Sequence, residues 1–254
     1  MKIEKVPASH GLRWLMQGFV LLRRSFFIWV LFVLLLWGMV FIASRVPMTG
    51  LLLALLTPVF LGGLMLGCRA LEKGEELEIA HFFAGFRNNT LNLVTLGGFY
   101  LIGNVLIAGL MYAIGGAAIQ RIVAGQAQNM DPAMLMEALG PALIALLVGT
   151  ALSVPLTMAM WFAPVLVVFA NEKPVQALRE SFQACLKNMP AFLVYGLILL
   201  VPLVVLMAPF DLASMERNPG LWVVALIMLP SIYTSYRDIF REEPAAVLAP
   251  LTPV

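Results

Sequence analysis

Few residues in this chain have the types and spacing that chemistry needs. There are two histidines, His10 and His81, and two cysteines, Cys68 and Cys185. His81 stands near Glu76 and Glu78, so an acid–base pair at a surface is conceivable; as an isolated interfacial residue it needs no catalytic role. The P-loop, H-E-x-x-H and G-x-S-x-G patterns are absent. Two separate cysteines make no metal site. Met130, Met134 and Met136 are soft ligands of the kind that suits Cu(I). No His or Cys accompanies them and the chain has 15 Met in all, so the plainer reading is an adaptable apolar patch. The expectation is a protein that is not an enzyme, with no catalytic residues, no cofactor and no metal.

Composition narrows the class. Of 254 residues, 61% are hydrophobic and 12% charged, and the mean hydropathy is +0.94. An ordinary soluble domain carries about 25% charged residues. A soluble enzyme, a disordered chain and a DNA-binding domain are all excluded, the last because the net charge is only +2 and the basic residues are scattered. What remains is an all-α, polytopic membrane bundle forming a single domain, 1–254. A span needs roughly 20 apolar residues. Six candidates follow: Phe26–Ala43, Gly50–Gly67, one within Leu91–Ile119, one within Pro141–Ala170, Ala191–Phe210 and Leu221–Tyr236, the last interrupted by Pro230. The first apolar run begins too late and runs too long for a signal peptide, so it reads as an uncleaved helix.

Charge sets the orientation, because short loops rich in Lys and Arg stay in the cytoplasm. With the N-terminus inside, 13 of the 16 basic residues are inside and only Arg45, Arg121 and Arg217 are outside. Both termini are therefore expected in the cytoplasm, in a multi-pass protein of the bacterial inner membrane. Cys68 and Cys185 then face a reducing compartment, which argues against a disulfide.

The sequence also repeats. At an offset of 100, residues 70–94 and 170–194 share eight identities, among them Glu72/Glu172, Lys73/Lys173, Phe82/Phe182 and Asn88/Asn188, with Arg87/Lys187 conservative. A weaker third copy starts at Leu12-Arg13. The chain reads as three units, roughly 8–70, 75–170 and 175–240, each an inside segment followed by an outgoing and a returning helix. This is a parallel repeat. Each inside segment carries an apolar stripe: Leu12, Leu15, Met16 and Phe19; Ile79, Phe82, Phe83 and Phe86; Leu178, Phe182 and Cys185. Three interfacial amphipathic helices are expected, with Arg87, Asn88, Lys187 and Asn188 as repeat residues at the cytoplasmic surface. They would bind lipid headgroups or a partner, or simply anchor the bundle.

No charged residue falls at mid-span, which is unlike an ion-driven transporter. Asn104 is the most polar mid-span residue, either a packing residue bonded to a neighbouring helix or part of a substrate site. Thr57, Thr95, Thr150, Ser153 and Thr157 add hydroxyls. Gly62, Gly63, Gly97, Gly98 and Gly103 allow close helix packing, while Gly115 and Gly116 would loosen the third span. Pro58, Pro155, Pro164 and Pro202 would kink or interrupt spans. In the longest outer loop, Asp131-Pro132 can start a short helix that Gly140 ends. Membrane lipids and other membrane subunits are the expected partners, and nucleic acid is not. The leading function is a non-catalytic scaffold or accessory subunit of a membrane complex; the alternative is a transporter or channel for a lipid or apolar small molecule.

Two short motifs carry a resemblance: Ala177-Leu178-Arg179-Glu180-Ser181-Phe182 and Tyr233-Thr234-Ser235-Tyr236-Arg237-Asp238. With them the chain resembles uncharacterised proteobacterial inner-membrane proteins of similar length. More distantly it is similar to YciC-like proteins and to the membrane domains of glycerophosphodiester phosphodiesterases. The resemblance implies a six-helix inner-membrane protein and no activity, since phosphodiesterase chemistry belongs to a separate soluble domain.

Overall fold

The computed structural model describes residues 2–46, 48–123, 132–207 and 219–240. Their regular secondary structure is all helical, with no strand among the described residues. In chain order they form α1 (His10–Arg24), α2 (Phe26–Arg45), α3 (Thr49–Glu72), a 3-10 helix (Ile79–Arg87), α4 (Thr90–Val123), α5 (Pro132–Trp161), α6 (Ala163–Ala170), α7 (Pro174–Lys187), α8 (Met189–Met207) and α9 (Pro219–Ile239).

Four helical stretches are long and apolar enough to cross a membrane: Phe26–Arg45, Thr49–Glu72, Thr90–Gln120 and Leu139–Ala170. A fifth is the pair α7 and α8, bent by 81° at their junction, if the two count as one span. On these criteria the described residues hold four to five of the six expected spans. α9 is 21 residues long, but its second half carries Ser231, Thr234, Ser235, Arg237 and Asp238 and turns them inward rather than toward lipid. α3 is the central helix, with 50% of its apolar window buried against 17% for α2 and α4 and 11% for the α5–α6 stretch.

The core lies at one end of the bundle, here called the basal end. α1, the 3-10 helix, α6, α7, the last turns of α3 and α9 and the first turns of α2, α4 and α8 supply it. Toward the other end, α4, α5 and α8 expose apolar side chains such as Leu106, Leu147 and Val201. That is the pattern of helices bathed in hydrocarbon.

The three segments expected to be amphipathic behave differently from one another. α1 buries Trp14, Leu15, Gly18, Leu21 and Leu22. Of its expected stripe only Leu15 joins the core; Leu12, Met16 and Phe19 are exposed, so this helix has two apolar sides. The second segment is a 3-10 helix and not an α-helix. In that geometry residues three apart eclipse. Phe82 and Gly85 share the buried ridge, while Phe83 and Phe86 stand on the exposed one. Glu78 caps it, and the His81 side chain accepts a hydrogen bond from the Glu78 backbone N–H at 3.0 Å. α7 begins at Pro174, as its fixed φ favours.

The same geometry corrects one expectation and locates several others. The short helix expected from Pro132 to Gly140 does not end there: α5 runs through Gly140 and Pro141 to Trp161. The 34-residue α4 is bent at Gly115, which leaves helical φ/ψ. Pro58, Pro155 and Pro202 lie inside α3, α5 and α8. The span containing Pro164 breaks just before it, at Phe162.

Close backbone approach demands glycine at several helix contacts, two of which are decisive for α3. A Cβ on Gly85 would overlap the Val59 carbonyl, and one on Gly97 would overlap the Leu55 carbonyl. These contacts seat the 3-10 helix and α4 on α3. Gly85→Ala is expected to lower stability by about 1–3 kcal/mol, as over-packing does. Gly38→Ala, which meets open space, is expected to leave it unchanged or slightly raised. Thermal unfolding in detergent, followed by the monodisperse fraction, distinguishes them.

Candidate functional site

Two arrangements stand out, a buried polar cluster at the basal end and a cleft beside α5.

The cluster starts with Glu72, the last residue of α3 and only 4% exposed. Its carboxylate accepts from the Tyr233 hydroxyl and pairs with the Arg237 guanidinium, both from α9. Arg237 also donates to the Gln17 side chain of α1 at 2.9 Å. The next residue of α9, Asp238, accepts from the Trp14 indole and meets His10 Nδ1, each at 2.7 Å. The Thr234 hydroxyl donates to the Trp14 carbonyl, and Tyr195 of α8 shares a hydrogen bond with Ser231 at 2.7 Å. Residues three and four apart on a helix share a face. Ser231, Thr234 and Asp238 are spaced in this way, as are Tyr233 and Arg237, so α9 turns one polar face to α1 and α8 and another to α3.

α7 does more than lie beside the bundle. At the break between α5 and α6 the Phe162 N–H loses a helical partner, and the Ser181 hydroxyl accepts from it at 2.9 Å while donating to the Met158 carbonyl at 2.7 Å. Ser181 is fully buried. At the other end of α7, Asn188 accepts from the Val6 N–H and donates to the Glu4 and Ala184 carbonyls. Lys187 donates to the Ile3 carbonyl at 2.5 Å. The N-terminal segment is thus strapped across the α7–α8 elbow.

The remaining expected site residues are dispersed. Asn88 is exposed and donates to the Ala84 carbonyl, the same contact that Asn188 makes with Ala184. Arg87 is exposed. Among the described residues no hydrogen bond joins Arg87 or Asn88 to Lys187 or Asn188. Asn104 is exposed on α4 and donates to the Tyr100 carbonyl of its own helix at 2.7 Å. His81 is engaged in its local cap. Cys68 and Cys185 are buried and unjoined. Of the methionine cluster, Met130 and the side chain of Met134 lie outside the described residues; Met136 is exposed. Sequence reasoning missed Ser181 and the α9 partners as contacts. The signal was present, since both lie in the two motifs that carry the resemblance.

The cleft lies where α5 and α8 part. α5 packs on α4 and α7, and α8 on α9 and α1. The space between has a volume of about 490 Å³ and is walled by Met111, Thr150, Ser153, Thr157, Trp161 and Met189 among others, none of them charged. Pro155 lies within this stretch of α5 and leaves the Ala151 carbonyl without its usual helical donor. The Trp161 indole N–H is buried with no partner.

Apolar helices of this length, joined by a buried basal core, define a helical integral membrane protein. Residues 9–249 match the model of a family described as a domain of unknown function, DUF7847, and the chain belongs to that family. It is also similar to a protein of Burkholderia thailandensis named a "Probable inner membrane protein", 34% identical over 273 aligned positions that cover 99% of each chain. No solved structure matches. This is a protein of the inner membrane.

Breaking the buried ion pair tests the cluster. Glu72→Met or Arg237→Met alone leaves an uncompensated buried charge, and each is expected to cost about 3–5 kcal/mol. The Glu72→Met/Arg237→Met double variant is expected to recover much of that loss, in a double-mutant cycle read by thermal unfolding in detergent.

Proposed function

We propose that this protein handles a lipid or apolar small molecule within the bilayer, as a transporter or channel, and performs no covalent chemistry. The observation that carries this reading is the uncharged cleft of about 490 Å³ beside α5. Its volume falls in the range typical of ligand sites. Its walls belong to apolar helices, so the molecules that reach it come from the membrane. Membrane lipids are then the partners, and nucleic acid is not one.

A second reading is the scaffold or accessory subunit that docks other membrane subunits. It draws on exposed apolar faces such as Ile102, Leu106 and Leu147. Lipid tails cover such faces as well as another helix does, so they do not favour a protein over a lipid, and the cleft supports the first reading.

The topology that accompanies the proposal has six crossings, a three-unit parallel repeat and both termini in the cytoplasm. It is supported by the matched contacts of Asn88 and Asn188. The N-terminal segment and the end of α9 also meet, through the Glu4 N–H and the Ile239 carbonyl. The wider kinship with YciC-like proteins and phosphodiesterase membrane domains rests on the two short motifs alone.

Native mass spectrometry of the protein extracted with its surrounding lipid tests the function. The expected result is this chain with a retained lipid or small molecule at a fixed ratio. A second polypeptide at a fixed ratio, with no retained small molecule, would replace transport by the scaffold reading.

A further inference from the structure

Three hydroxyls in the cleft are not used by the fold. Thr150, Ser153 and Thr157 lie three and four residues apart on α5, so they form a ladder on one helix face about 10 Å long. Other hydroxyls on the long apolar helices bond to their own backbone: Thr49, Thr57, Thr95, Ser231 and Ser235 each donate to a carbonyl three or four residues back. Among the described residues, the three on α5 have no hydrogen-bond partner, and all three line the cleft. The Trp161 indole, a fourth wall residue, is a donor only, and it too lacks a partner.

In hydrocarbon an unpaired polar group is costly. Three donor groups along an uncharged, otherwise apolar space are matched by an occupant that brings acceptors and no charge. We propose that the Thr150–Ser153–Thr157 ladder binds the carbonyl group of a long-chain lipid, with the hydrocarbon chain lying along the wall of Met111, Met158, Met189 and Leu193. This rests on the cleft being the working site, as argued above, and names what it selects. A charged headgroup is excluded from the cleft by its uncharged lining and stays at the α7–α8 elbow. Two sources supply the chemistry, an acyl ester and a long-chain quinone.

The test compares three probes by native mass spectrometry on the full-length protein in detergent: a monoacylglycerol, its ether analogue lacking the carbonyl, and a quinone with a long alkyl chain. Wild type is expected to bind at least one carbonyl probe roughly tenfold tighter than the ether, the effect of a few membrane hydrogen bonds. Which carbonyl probe wins identifies the source. The Thr150→Val/Ser153→Ala/Thr157→Val variant is expected to bind all three equally. Leu193→Trp, at a cleft residue 60% exposed, fills the space and is expected to lose all binding. A wild type that binds the ether as tightly as the carbonyl probes, or a stripped variant that keeps the preference, overturns the proposal while leaving the cleft reading intact. A wild type that binds none of the probes removes both.

Discussion

The Glu72 carboxylate is the point about which the basal end is organised. It ends the central helix, is shielded from solvent, and meets Arg237 and Tyr233 from the last helix of the chain. A buried charge without its partner costs several kcal/mol, whereas a fully bonded one is tolerated. α3 and α9 must therefore arrive together, and α1 is drawn in because Arg237 needs Gln17 as well. The pair adds little net stability by itself. Its effect is to make one arrangement of three helices far better than its neighbours, where apolar packing alone would accept several.

The open shape of the remaining bundle follows from that anchoring. The hydrogen-bonded contacts between distant elements gather at the basal end, along with the core. Among the described residues nothing comparable ties α5 to α8 further out, where the facing walls are uncharged and mostly apolar. In water such faces would collapse on one another. In a bilayer the driving force is absent, because lipid tails are as apolar as leucine. A cleft between two helices then persists at low cost, provided its lining is apolar or satisfied by what enters it.

The class, the helical content and the apolar runs were legible in the sequence because they depend on composition and length. α4 and α5 are long, as their runs of nearly 30 residues required. Gly115 bends its helix at the position where looseness was expected. The polar cluster was not legible. Glu72, Gln17 and Arg237 are separated by up to 220 positions, and no local pattern pairs them. Their types were visible; their meeting is a tertiary fact. The end of the short helix at Gly140 was misread because Gly and Pro stop helices in water more readily than in apolar helix pairs, where neighbours compensate the freed groups. Asn104 was weighed as a link between helices, yet its amide reaches the Tyr100 carbonyl of its own helix and uses that one.

Ser181 shows how an amphipathic segment can serve a purpose that its periodicity hides. A span interrupted at Phe162 has backbone groups that hydrocarbon cannot satisfy. One hydroxyl from α7 both accepts from Phe162 and donates to Met158 across the break. It can do so only if α7 lies close against the span, which the buried small residues Ala177 and Ala184 permit. The bend into α8 then follows, since Asn188 closes α7 while holding the N-terminal segment. α7 is thereby a structural part of the α5–α6 span and of the cleft wall, where Cys185 stands beside Met189. A displacement of α7 would disturb the break, the strap and the cleft together, so the basal polar contacts and the proposed ligand site are mechanically one unit.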